Sequence, residues 1–255
     1  MPIITRNFCD KMQIRLFTIP NFLTLGNLVC GACAAIVLLT SGDFTTAFWL
    51  VVVAALFDFM DGFAARLLKS VSAIGVELDS LADMVSFGLV PSLAMWTLFD
   101  AVPTLGWLPA GFVELGRYLT LIIVAFSALR LAKFNVDDTQ HTEFCGLPTP
   151  ANGLFCLSLG MLATGGYLPM FKEVVLIVAV VMACLLISPI RMFALKFKGF
   201  GWQGNELRYS FILLSVLIIA LFTRYAIPTI IVIYVALSFV RWITCRNKCN
   251  QTCQK

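Results

Sequence analysis

Five of the chain's fourteen acidic residues fall in one stretch, DFMDGFAARLLKSVSAIGVELDSLAD, running from Asp58 to Asp83. The sequence around it is overwhelmingly apolar. On a helix Asp58 and Asp61 are three residues apart and Asp79 and Asp83 four, so each pair shares a face. Lys69–Ser70–Val71–Ser72 is a short polar break that predicts a turn between two helices. Folding there brings four carboxylates together. Unpaired carboxylates repel one another, so the cluster calls for cations, and hard oxygen ligands suit Mg²⁺ or Mn²⁺.

The small residues between the acids matter as much. Asp58, Asp61, Gly62 and Ala65 form one stripe, acidic at one end and nearly free of side chain at the other. That leaves a shallow trough where an extended ligand can lie against backbone. Arg66 adds a planar cation that grips phosphate oxygens through two hydrogen bonds. Metal ligands, an arginine and a trough together read as a diphosphate site. A single aspartate would be read as a solvated helix end; four in register with Gly, Ala and Arg are not.

The full spacing, D-x2-D-G-x2-A-R-x8-G-x3-D-x3-D, resembles the signature of the CDP-alcohol phosphatidyltransferase family, and every fixed position of it is filled. The resemblance implies a helical membrane fold with two divalent ions among the four aspartates and the CDP-linked lipid's diphosphate held against them. By position, Asp58, Asp61, Asp79 and Asp83 resemble the metal ligands, with Asp83 also the base for the incoming alcohol. Gly62, Ala65, Arg66 and Ser72 resemble the nucleotide-lipid contacts. The segment IPNFLTLGNLVCG, from Ile19, adds Asn21 and Thr24 to those contacts; hydrogen bonds between helices would explain the same two residues. DSLADMVSFGLVP, ALRLAKFNVDD and FCGLPTPANG resemble the serine-using branch of the family. They imply CDP-diacylglycerol as donor, L-serine as acceptor, and Ser86, Arg130 and Lys133 as acceptor contacts. Lys133 departs from the expected arginine, keeping the charge and losing the planar fork. A homodimer is a further implication of the resemblance.

Composition sets the frame for these residues. The 255-residue chain is 60% hydrophobic and 13% charged, with mean hydropathy +0.93, which excludes a soluble domain. Apolar runs predict an all-α, polytopic transmembrane bundle of about eight spans, at 22–40, 44–66, 75–98, 116–134, 151–168, 173–194, 208–223 and 226–244. Residues 1–19 read as an amphipathic juxtamembrane segment or a basic tail, 20–245 as a single transmembrane catalytic domain, and 246–255 as a cytoplasmic tail. Pro189 is expected to loosen the end of the sixth span. At 1.5 Å per residue Asp58 lies about 21 Å along its helix from Phe44, near one face of a hydrocarbon core about 30 Å thick. Arg130, about 20 Å from Arg117 on the same reasoning, matches that depth. A reaction joining a lipid to a water-soluble molecule needs such a position. A cation transporter, the rival of another class, would more often hold its site near the midplane on internal repeats; no such repeat is visible.

With the N-terminus in the cytoplasm, only Arg117, Lys172 and Arg224 of the eighteen Lys and Arg residues fall outside. That asymmetry satisfies the positive-inside rule and puts the acids on the cytoplasmic face of the inner membrane. A net charge of +4, spread over loops, gives no reason to expect a nucleic-acid partner. The nine cysteines are odd in number and partly within spans, so they are not a disulfide framework. Cys245, Cys249 and Cys253 recur every four residues and could be free thiols, a metal site or an acylation site. Ala32–Cys33–Ala34 mimics a signal-peptide cleavage site, but apolar residues continue through Leu39. His141 reads as a solvated loop residue. The competing acceptors within the family, glycerol phosphate and inositol phosphate, should need a further basic cluster beyond Arg66 and Arg130.

Both termini are therefore expected in the cytoplasm. Single cysteines introduced at residues 5 and 250 of a cysteine-depleted chain should resist impermeant thiol reagents in intact cells and react after permeabilisation. Labelling of either from outside would overturn the orientation.

Overall fold

A computed structural model describes residues 16–70, 72–107, 109–136, 143–193 and 205–252. All of the segment 1–19 except its last four residues, together with His141 and Cys253, lies outside the described residues.

The described residues open on two long helices joined almost without a loop. Helix α1 (Ile19–Ser41) is opened by Thr18, whose hydroxyl accepts the Asn21 N–H, with Pro20 in the first turn where its missing N–H does no harm. Gly42, in the left-handed region at φ 63°, closes it. Asp43 then caps α2 (Phe44–Leu67), accepting the Thr45 and Thr46 N–H groups at 2.9 and 3.1 Å. The Thr46 hydroxyl also bonds that carboxylate and holds it below the usual carboxylate range. A two-residue connection forces α1 and α2 antiparallel and side by side.

Helix α2 ends where the polar break predicts a turn. Lys69 takes a positive φ of 49°, and the Ser70 N–H reaches back to the Ala65 carbonyl at 3.0 Å, the wide bond of a Schellman closure. Ser72 caps α3 (Ala73–Asp83), its hydroxyl accepting the Gly75 N–H at 3.1 Å. The helix then widens into a π-helical turn (Met84–Leu89) before resuming as α4 (Val90–Ala101). Pro91 accounts for the widening. It has no N–H for the regular ladder, and the Val90 N–H instead bonds Val85, five residues back.

The span expected at 116–134 is not one helix. Helix α5 (Ala110–Leu119) stops and α6 (Ile122–Val136) restarts, with Thr120 at the break. The Thr120 hydroxyl donates to the Arg117 carbonyl at 2.7 Å, and the Thr120 carbonyl accepts the Ser92 hydroxyl at 3.0 Å. These bonds satisfy backbone that an unbroken helix would have satisfied itself. Helix α7 (Thr149–Thr164), α8 (Lys172–Ile187), α9 (Glu206–Phe222) and α10 (Ala226–Thr252) complete the bundle.

The span expected at 173–194 is corrected as well. Helix α8 ends at Ile187, two residues before Pro189, and Arg191–Phe193 (β2) pairs antiparallel with Glu143–Cys145 (β1). A residue preceding proline is pushed out of the α region, which is why the helix stops there. This small ribbon is the one departure from an all-α fold among the described residues. The eight predicted spans fall on eight helical runs. Five of the runs are long and apolar enough to cross a membrane: Ile19–Ser41, Phe44–Leu67, Ala73–Ala101, Gly111–Val136 and Ala226–Thr244. Helices α7, α8 and α9, at 16, 16 and 17 residues, are shorter.

The core lies where α1, α2, the π turn, α4, α6, α7 and α8 meet, around Val51, Phe87, Met95, Ile123, Leu157 and Leu186. Large apolar residues such as Trp49, Phe63, Leu81 and Leu213 face outward, as expected of helices solvated by hydrocarbon. At the end of the bundle away from the acids, Glu173 in the first turn of α8 takes the Thr104 hydroxyl and the Leu105 and Gly106 N–H groups, tying down the segment 104–106. Sequence reading gave Glu173 no role; its partners lie almost seventy residues away.

Gly146 sits between β1 and α7 with φ 81°, and a Cβ there would collide with the Leu186 carbonyl. Gly146→Ala therefore meets a left-handed backbone and a fixed carbonyl together, at a cost of about 2 kcal/mol or more. The purified variant should melt several degrees below the parent in a thermal-shift measurement, and an unchanged melting point would contradict the left-handed turn at this position.

Candidate active site

The start of α1, the last turns of α2 and the whole of α3 build the site. The two-residue link sets α1 and α2 antiparallel, so the α1 start lies beside the α2 end, and the turn after Leu67 swings α3 back against α1. Asp58 and Asp61 come from the last turns of α2, and Asp79 and Asp83 from α3. Oxygen atoms of Asp58, Asp61 and Asp79 all lie within 4.8 Å of one another. Carboxylates this close can stay together only where a proton or a cation offsets their charge. Asp83 is not part of that trio. It stands within electrostatic reach of all three acids, and its Oδ1 accepts Asn27 Nδ2 at 3.1 Å.

Whether this cluster suits a metal can be judged from its donors. All are carboxylate oxygens, Asp61 is only 5% exposed, and Asp79 Oδ1 is buried with no hydrogen-bond partner. Thr24 orients Asp61 from outside the cluster, its hydroxyl donating to Oδ2 at 2.6 Å with the Pro20 carbonyl as a second acceptor at 3.0 Å. Three carboxylates with oxygens within 4.8 Å of one another, one oxygen orphaned and another steered by Thr24, fit a divalent cation.

Beside the acids opens a cleft of about 210 Å³ between α1, α2 and α3. Asn21, Thr24, Asp61, Gly62, Ala65, Arg66, Ser72 and Asp79 line it, joined by Pro20, Ser70, Gly75 and Val76. A Cβ on Gly62 would meet nothing within 4 Å, so the trough read from the sequence is open space. Arg66 Nε donates to the Gly62 carbonyl at 2.9 Å, which folds the exposed guanidinium back along the cleft. Asn21 Nδ2 is engaged by the Leu16 carbonyl at 2.8 Å. The Ser72 hydroxyl serves as a helix cap, and Ser70 Oγ is buried without a partner.

The proposed acceptor contacts are not in this cleft. Arg130 and Lys133 line a separate cavity of about 300 Å³ with Leu129, Phe134, Cys145, Leu186 and Ile187. Arg130 Nη1 donates to Thr149 Oγ1 at 3.0 Å, its Nε is buried without a partner, and its charge is within reach of Asp83. Ser86 is fully buried, and its hydroxyl donates to the Ala82 carbonyl at 2.9 Å. The π turn commits that donor to its own helix.

Sequence reasoning gave Asn27 and Thr149 no place in the site. Asn27 carries a readable signal: it lies three residues beyond Thr24 on the buried face of α1, so one helix face supports both Asp61 and Asp83. Thr149 opens α7 directly after Pro148, with no local signal of its link to Arg130.

Replacing Asp58 or Asp79 by Asn should weaken Mn²⁺ binding to the purified protein by tenfold or more, read by electron paramagnetic resonance of free Mn²⁺. Wild-type affinity in both variants would show that the trio is not an ion site.

Comparison with known proteins agrees with this geometry. A family model described as CDP-alcohol phosphatidyltransferase matches residues 17–185, about two thirds of the chain. A Helicobacter pylori (strain J99) protein named CDP-diacylglycerol–serine O-phosphatidyltransferase is 31% identical over 238 residues, covering 89% of this chain and 92% of that protein. Proteins of the same name from Bacillus subtilis and Methanocaldococcus jannaschii are 38% and 33% identical over 140 residues. Those matches cover 54% and 55% of this chain, and 72% and 59% of theirs. The chain belongs to the CDP-alcohol phosphatidyltransferase family.

Proposed function

We propose that the protein transfers the phosphatidyl group of CDP-diacylglycerol to the hydroxyl of L-serine and releases CMP. The observation that carries this reading is the carboxylate trio beside an open cleft that also holds Arg66 and the side-chain-free face of Gly62. Serine as acceptor is supported by the names of the relatives and by a second, basic cavity within electrostatic reach of Asp83.

Asp58, Asp61, Asp79 and Asp83 would hold two divalent ions, Mg²⁺ or Mn²⁺, which when bound offset the charge of the diphosphate and of the departing phosphate. The nucleotide-lipid lies along Gly62 and Ala65, with Arg66 gripping phosphate oxygen and Asn21, Thr24 and Ser72 at the nucleotide end. The serine oxygen attacks the phosphorus that carries the diacylglycerol. A new oxygen–phosphorus bond forms as the bridging bond of the diphosphate breaks, its electron pair leaving with CMP. The serine proton passes to Asp83. Arg130, with Lys133, offsets the serine carboxylate near a site already rich in negative charge. The charge distribution along the chain supports a site at the cytoplasmic face of the inner membrane. We also propose that two chains pair through transmembrane helices, as the family resemblance implies.

The test is an acceptor panel: purified protein, CDP-diacylglycerol, Mn²⁺ or Mg²⁺, and labelled serine, glycerol phosphate and inositol phosphate. Serine should be consumed with release of CMP, and chelation by EDTA should abolish turnover reversibly. Arg130→Ala should raise the serine KM about ten- to a hundredfold, the loss of one charge-assisted hydrogen bond, and move the CDP-diacylglycerol KM much less. Turnover of a phosphorylated acceptor in place of serine would overturn the acceptor assignment. A joint rise of both KM values would move Arg130 to the diphosphate site or the fold.

A further inference from the structure

Asn27 is fully buried on α1. Its Nδ2 donates to Asp83 Oδ1 at 3.1 Å, while its own Oδ1 is buried with no partner. A carboxylate only accepts, so chemistry decides which end of the amide faces Asp83. Leaving a buried amide oxygen unpaired costs stability, whereas an apolar residue of similar volume would incur no such cost. The amide is therefore retained for what its nitrogen does.

The same helix face also touches the backbone that carries Asp83. Gly31 is one turn beyond Asn27, and a Cβ there would lie 2.8 Å from Ser86 Cα and Cβ. Ser86 belongs to the π turn that starts directly after Asp83. On its other sides that turn is held by Ser127, 3.2 Å from where a Gly88 Cβ would lie, and by Gly153 against Phe87. The backbone following Asp83 is thus clamped, and the side chain keeps two torsions, about Cα–Cβ and Cβ–Cγ, which the bond from Asn27 restrains.

We propose that Asn27 is a positioning residue for Asp83. Its Nδ2 pins Oδ1 and leaves Oδ2 as the oxygen that receives the proton of the attacking hydroxyl. The inference rests on reading Asp83 as the base. Asn27 is fully buried and lines neither cavity, so its loss should change the rate of the chemical step rather than the binding of either substrate.

The experiment is a double-mutant cycle with Asn27→Leu and Asp83→Asn, assayed with CDP-diacylglycerol and serine at saturating Mn²⁺, with binding of CDP-diacylglycerol as the check on folding. Asn27→Leu should lower kcat about 10- to 100-fold, with both KM values within about threefold of the parent. In the Asp83→Asn background, where single-turnover conditions read the residual rate, the same substitution should subtract less than about twofold more. Asn27→Ser, smaller and still polar, is read the same way if Asn27→Leu fails to bind the nucleotide-lipid. Normal kcat in both Asn27 variants beside an inactive Asp83→Asn would overturn the inference and leave the base intact. An active Asp83→Asn would remove the base and the inference with it. Losses that multiply in the double variant, or loss of nucleotide-lipid binding in both Asn27 variants, would assign Asn27 to the fold and overturn the proposal.

Discussion

Mutual repulsion among carboxylates in an apolar bundle is the constraint that the rest of this structure serves. Like charges gather in a low dielectric only where other structure holds them and a cation can join them. Here the holding is done by backbone. The two-residue link between α1 and α2, the left-handed closure at Lys69 and the Ser72 cap set three helix ends at fixed angles. Side chains of α1 then complete the restraint, Thr24 on Asp61 and Asn27 on Asp83. Helix α1 contributes no acid to the cluster, yet it is the element on which the acids lean.

The two cavities divide the chemistry in space. One lies between α1, α2 and α3 and carries the small-residue trough and Arg66. The other lies between α6, the end of α8 and the short ribbon, and carries Arg130 and Lys133. Asp83 belongs to the lining of neither and is within electrostatic reach of both the acid trio and Arg130. The base proposed for the reaction would have to stand at such a boundary, beside one substrate while the other is held nearby.

Much of the near side of this arrangement was legible in the sequence, because its determinants are local. The aspartate spacing, the polar break and Gly62 act within one helical turn or one connection, and turn chemistry there leaves a clear mark. The break at Thr120 left none, since it is stabilised by Ser92, twenty-eight residues away. Neither did the ribbon, whose strands are three residues long and forty-eight apart in the chain. Ser86 was visible as a polar residue in an apolar run, but nothing local told that its hydroxyl is spent on the Ala82 carbonyl of its own helix. Asn27 was visible as a polar residue in an apolar span, but its partner lies fifty-six residues on, and only the fold reveals which acid it serves.

The cleft beside the acids is walled at one side by Val76, which is 46% exposed, and by the open face of Gly62. An apolar rim of this kind on a membrane helix suits an opening turned toward the lipid, the route the proposed donor would need. A donor with two acyl chains can reach it by sliding within its own leaflet, keeping its tails solvated throughout. Turnover of such a substrate follows its mole fraction in the surrounding lipid, not its bulk molarity. Diluting it with inert phospholipid slows the encounter even when the total amount in the tube is unchanged, whereas the water-soluble acceptor obeys ordinary volume concentration. One active site thereby answers to two kinds of concentration, and the composition of the bilayer becomes a variable of its rate law.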